Sequence, residues 1–118
     1  REEAKKSGTG AIPIDPGFVR GMLATQASEE CFNALMGILV TQPLVIMETP
    51  INARDFEALD IPKVLLYCTQ DVSVPPGAFV EMFKALGDYP IVEVECDHEG
   101  LFTNPELYTK GLLECIEI

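Results

Sequence analysis

A chain of 118 residues, 47% of them hydrophobic, is long enough for one small domain with its own core. Nineteen acids against eight bases give a net charge of −11, and the acids are scattered along the chain like those of a solvated surface. With no basic stripe to neutralise phosphates, nucleic-acid binding is excluded. The longest apolar runs, at residues 35–40 and 44–47, are broken by polar residues or proline, so no membrane span is expected either.

Residues 1–10 are charged and then rich in Gly and Ser, and residues 11–17 are too proline-rich for a helix. Residues 1–17 are therefore expected to be a mobile terminus followed by an extended linker. The chain begins at Arg1, which fits a trimmed terminus, a processed chain or a piece of something longer.

From residue 18 to 40 the pattern turns helical. Ser28 suits an N-cap, and Glu29 and Glu30 suit the positive end of a helix dipole. Cys31, Leu35, Ile38 and Leu39 then form one apolar stripe, widened by Phe32 and Met36. Thr41, Gln42 and Pro43 stop it. Residues 44–47 are ambiguous, and residues 52–59 read as a short helical piece or a loop. Residues 18–59 together predict a small helical cap rather than part of a sheet.

Residues 60–118 form the regular part, and they read as βαβα. Residues 64–68 are apolar without polar alternation, as in a parallel strand covered on both faces. Pro75 and Pro76 introduce a helix in which Phe79, Met82, Phe83 and Leu86 share a face, with Gly87 at its end. Ile91, Val92 and Val94 make the second strand. Asn104, Pro105 and Glu106 start a last helix whose buried face is expected at Thr109, Leu112, Leu113 and Ile116. The fold class is α/β. Two parallel strands with flanking helices cannot cover both sheet faces, and the strand at 64–68 would keep an open apolar edge. A partner chain, a missing half or a second copy must complete it.

Chemistry collects at the ends of these two strands. Asp71 follows the first, and His98, the only histidine, follows the second. In a parallel pair both would lie at the carboxyl edge, where α/β folds keep their sites. A carboxylate beside an imidazole is the acid and base of a relay that activates a serine hydroxyl. Asp97 is a possible competitor for His98, but an acid in a turn more often binds loop amides. The four cysteines show no CxxC spacing. Cys68 and Cys96 end neighbouring strands, so a disulfide or a Cys/Cys/His metal site is conceivable; their apolar surroundings favour buried free thiols and a reducing, cytoplasmic setting.

The segment Tyr67, Cys68, Thr69, Gln70, Asp71 before Pro75 and Pro76, the pair Asp97 and His98, and Asn104 and Pro105 opening the last helix resemble the C-terminal half of an α/β-hydrolase. They are most similar to the methylesterase and hydroxynitrile lyase group. Ser28, Glu29 and Glu30, then Gln42, Pro43 and Leu44, then Thr49 and Pro50 resemble that group's cap, so the likeness runs from about Ser28 to Ile118. It implies Asp71 as triad acid and His98 as general base, in the family order Ser, Asp, His. No G-x-S-x-G elbow precedes them. Ser7 has no strand before it, Ser28 reads as a helix cap and Ser73 belongs to the acid loop. The histidine-glycine segment supplying oxyanion-hole amides is absent too.

The resemblance implies the C-terminal part of an α/β-hydrolase fold plus cap, completed by an N-terminal half that carries the serine. The implied activity is hydrolysis of carboxylic esters or lactones of a small apolar substrate, with no metal or organic cofactor. Phe32, Leu35, Met36, Leu39 and Met47 are candidates to line the pocket, although packing is the commoner reason for such a stripe. Glu99 departs from the smaller or apolar residue usual there. The alternatives are a non-catalytic binding or regulatory module, and cyanohydrin cleavage of the hydroxynitrile lyase type.

Overall fold

The computed structural model describes Gly8 and residues 10–118, so most of the expected mobile terminus lies outside the described residues. Strand β1 (Ala11–Ile12) pairs antiparallel with β2 (Gln42–Pro43). Between them lie α1 (Pro16–Phe18), a π-helical turn (Val19–Leu23) and α2 (Glu29–Ile38). Helices α3 (Leu44–Glu48) and α4 (Ala53–Glu57) follow. The rest is β3 (Leu65–Cys68), α5 (Ala78–Lys84), β4 (Ile91–Val94), α6 (Gly100–Thr103) and α7 (Pro105–Glu117).

The region expected to be a cap is largely helical, and its ten-residue helix α2 begins after Ser28. Asp15 caps α1, its carboxylate accepting from the Phe18 amide at 2.9 Å. The chain leaves the π turn at Ala24, where φ is −114° and ψ is 53°, and re-enters a helix only after Ser28. Ser28 Oγ accepts from the Cys31 amide at 3.1 Å, as its N-cap position predicts. Arg20 staples the break, donating to Ala27 O at 2.9 Å and Glu29 Oε1 at 2.7 Å while its guanidinium stacks 3.8 Å from the Phe32 ring centroid. Val19, Ala24 and Leu35 are the buried centre of this layer. Ile38, assigned to the apolar stripe by its spacing, is exposed.

Strands β3 and β4 are parallel, with Leu65 opposite Ile91 and Cys68 opposite Val94. Val92 and Val94 carry the buried side of β4, and Cys96 just beyond it is buried too. Helix α7 starts at Asn104, whose Oδ1 accepts from the Leu107 amide at 3.3 Å, with Pro105 in its first turn. Its inward face differs from the expected one. Leu112, Leu113 and Ile116 are exposed, and Gly111 is the buried position. A Cβ at Gly111 would overlap Val94 Cγ1 and fall 2.8 Å from Leu66 Cδ1. The helix thus lies against the strands through a position with no side chain, and the larger apolar residues point away. Periodicity alone weighs large residues over a glycine, which is why it chose the other face.

Each strand of this pair has one neighbour among the described residues. Beside β3 an apolar groove of about 530 Å³ runs between Leu65, Phe79, Met82, Phe83, Ile51 and Phe56. An unpaired strand edge beside such a groove is a surface where a further strand or partner would pack. No helix among the described residues is long and apolar enough to cross a membrane.

Candidate active site

The parallel register brings the two strand ends to the same edge and ties them there. Beyond β3, the Thr69 amide donates to Val94 O at 2.9 Å and the Gln70 amide to Cys96 O at 3.0 Å. The Asp71 amide closes a turn onto Cys68 O at 3.2 Å. His98 therefore meets Asp71, with Nδ1 at 2.8 Å from Oδ2. The acid is nearly enclosed, with 6% of its side chain exposed, whereas the imidazole is 39% exposed.

An ionised carboxylate only accepts hydrogen bonds, so the proton of a neutral His98 belongs on Nδ1. Nε2, on the far side of the ring, has no hydrogen-bond partner among the described residues. Burial by itself would raise the Asp71 pKa. Hydrogen bonds from the Ser73 hydroxyl and amide and from His98, together with the charge of His98, outweigh it and hold the carboxyl below its ordinary value. The Ser73 amide lies 2.8 Å from Asp71 Oδ1. Ser73 Oγ is 3.1 Å from His98 Nδ1, the nitrogen already turned to Asp71. On that side the ring offers a proton and takes none, so Ser73 is not placed to be an activated nucleophile.

Asp97 does not compete for the imidazole. It is fully buried, its Oδ2 accepting from the Gln26 amide at 2.8 Å and its Oδ1 from Thr103 Oγ1 at 2.6 Å. One residue further on, the Glu99 amide donates to Leu23 O at 3.1 Å. The loop that presents His98 is thus fastened to the turn after the π helix on one side and to α6 on the other. These ties were not legible in sequence, since Gln26 and Asp97 are 71 positions apart.

A cavity of about 270 Å³ opens beside His98, with Ile12, Ile14, Leu23, Leu39 and Val40 as its apolar wall and Glu99 at its rim. Of the five residues expected to line a pocket, Leu39 does so here. Leu35 is at the centre of the helical core, with Phe32 and Met36 packed against it. Leu35 also borders a separate surface cavity with Cys31 and Phe102. Met47 is exposed, its sulfur 3.3 Å from Gln42 Nε2. Ile12 and Ile14 were missed because residues 11–17 read as linker. The pairing of Ala11 with Pro43 and Ile12 with Gln42 brings them to the site. A smaller cleft of about 190 Å³ joins Asp71 and His98 to Leu66, Tyr67, Cys68 and Phe79 on the open side of β3.

All four cysteines are free thiols. Burial foremost, with the nearby Cys96, Asp71 and Asp97, pushes the Cys68 thiol up to about 11. No group of three His, Cys, Asp or Glu among the described residues could hold a metal ion.

No family model matches the chain. It is 29% identical over 110 residues to alpha/beta hydrolase nvfD of Aspergillus novofumigatus (strain IBT 16806), across 89% of this chain and 43% of that protein. An extracellular alpha/beta-hydrolase from a Paenibacillus species superposes with a TM-score of 0.80 at 22% identity, over 94% of this chain and 48% of the other. That enzyme is described as sharing structural and functional homology with tobacco salicylic acid binding protein 2. Polyneuridine aldehyde esterase superposes with a TM-score of 0.75 at 18% identity, over 92% of this chain and 43% of the esterase. The chain spans less than half the length of each of these proteins. Its fold is that of the C-terminal part of an α/β-hydrolase, and in sequence it is similar to the Aspergillus alpha/beta hydrolase.

Proposed function

We propose that the chain supplies the acid and base of a serine hydrolase acting on carboxylic esters or lactones of a small apolar substrate. What supports this reading is the 2.8 Å contact of His98 Nδ1 with a nearly enclosed Asp71, with Nε2 unpartnered among the described residues and His98 lining a largely apolar cavity. The nucleophilic serine and the oxyanion-hole amides come from an N-terminal half that pairs with the open edge of β3, as a separate, nicked or covalently continuous segment. Nε2 takes the serine proton as the hydroxyl attacks the ester carbonyl. The resulting imidazolium returns that proton to the leaving alcohol, stabilised throughout by Asp71. Water then attacks the acyl-enzyme with Nε2 again as base. The esterase named among the similar structures favours ester hydrolysis over cyanohydrin cleavage or a purely binding role.

In the assembled enzyme, Asp71→Asn and His98→Ala lower ester turnover by about 10³- to 10⁴-fold with folding retained, a loss of the size seen when a triad member is removed. A serine-directed fluorophosphonate labels the N-terminal half and leaves this chain unlabelled. Near-normal turnover by either variant, or a covalent adduct on this chain, refutes the assignment.

A further inference from the structure

Ser73 has no part in the relay described above, yet it touches both of its members. Its amide donates to Asp71 Oδ1 at 2.8 Å, the geometry of an Asx turn closed two residues after the acid. Its hydroxyl turns to the other partner, with Oγ 3.1 Å from His98 Nδ1. A hydroxyl has one proton and two lone pairs. A lone pair turned to Nδ1–H shares that proton between Asp71 Oδ2 at 2.8 Å and Ser73 Oγ at 3.1 Å. The imidazole is more than a third exposed and, among the described residues, these two oxygens hold its Nδ1 side.

We propose that Ser73 is a positioning residue: it bridges the pair, its amide on Asp71 and its hydroxyl on His98 Nδ1, locking the imidazole in the Nδ1–H tautomer with Nε2 turned outward as the base. This rests on the hydrolase reading for its catalytic consequence, but the lock itself is a property of the ring. A carboxylate alone fixes one contact and leaves the imidazole free to pivot about it. A second oxygen in the same loop, itself fixed by its own amide, defines the plane.

The test uses the fact that His98 is the only histidine in the chain, so labelling this chain with ¹⁵N-histidine gives one imidazole to observe. With Ser73→Ala, the ratio of the Nδ1–H to the Nε2–H form of the neutral ring falls by about three- to tenfold, the worth of one net hydrogen bond, and the two ¹⁵N shifts move toward each other. Ser73→Thr keeps the hydroxyl and restores the shifts. In the assembled enzyme kcat falls with Ser73→Ala by a similar factor and KM holds, since the change is in the base and not in the pocket. Shifts in Ser73→Ala coincident with those of the wild type overturn the proposal, as does Ser73→Thr behaving like Ser73→Ala. Failure of the hydrolase reading is distinguishable: it would appear as full turnover in Asp71→Asn, whatever the shifts of Ser73→Ala.

Discussion

The attachment of the His98 loop to the helical layer rests on Asp97, and its removal should be costly in a graded way. The carboxylate is fully buried and accepts from Gln26 N at 2.8 Å and Thr103 Oγ1 at 2.6 Å. A hydrogen bond to a charged group contributes about 1.5–3 kcal/mol, and a buried donor left without an acceptor costs a comparable amount. Asp97→Ala orphans the Gln26 amide and leaves the Thr103 hydroxyl its longer 3.3 Å contact with Glu99 O, and water entering the vacated space offsets part of the loss, so destabilisation of about 3 kcal/mol is expected. For a domain of this size that lowers Tm by roughly 10 °C. Asp97→Asn should cost only about 1 kcal/mol, because its carbonyl still accepts from Gln26 while its NH₂ donates to the Thr103 hydroxyl, which can turn to accept. Thermal and urea unfolding of the three proteins, followed by circular dichroism, gives both differences. Equal losses for Asn and Ala, or a loss for Ala under about 1 kcal/mol, would refute the view that two charge-assisted bonds hold this loop.

Two further outcomes follow from the same structure. Gly111→Ala places a methyl group against Val94 and Leu66 and should destabilise by about 1–3 kcal/mol, the usual cost of overpacking; the same change at Gly37, where a Cβ meets nothing within 4 Å, is the control, and equal effects in urea unfolding would contradict the close approach of α7. Asp71 titrates below its ordinary value near 3.8, so its folded form is the more acidic one; its contribution to stability is complete above that ordinary value and is lost as pH falls below it. Asp71→Asn should therefore flatten the acid limb of the stability–pH curve, and an unchanged limb would contradict the hydrogen-bonded carboxylate.

Much of the C-terminal region was legible because its signals are local. Apolar runs of strand length, Pro75 and Pro76 before a helix, and Asn104 with Pro105 depend on neighbours within a few positions, and the strands and helices form at those places. The parallel βαβ order then puts both strand ends on one edge, which is why a carboxylate after the first and an imidazole after the second meet at 2.8 Å. The misread parts depend on distant contacts. Ser28 marked the start of α2 in the sequence, but the π turn before it and the Arg20 bridge to Ala27 depend on packing around Leu35. The outward turn of Leu112, Leu113 and Ile116 follows from Gly111, whose value lies in the space it leaves.

The sequence by itself determined the elements of the βαβα region, the α/β class, and the pair Asp71 and His98 at neighbouring strand ends, since each follows from short-range pattern and strand order. Only the tertiary structure decided what surrounds that pair. Ser73 closing on Nδ1, Asp97 reaching Gln26, and Ile12 and Ile14 walling the cavity all join segments whose separation along the chain carries no local signal. The physical reason is burial: the polar atoms of Asp97 and Asp71 must find partners once enclosed, and the fold alone fixes which donors are within reach.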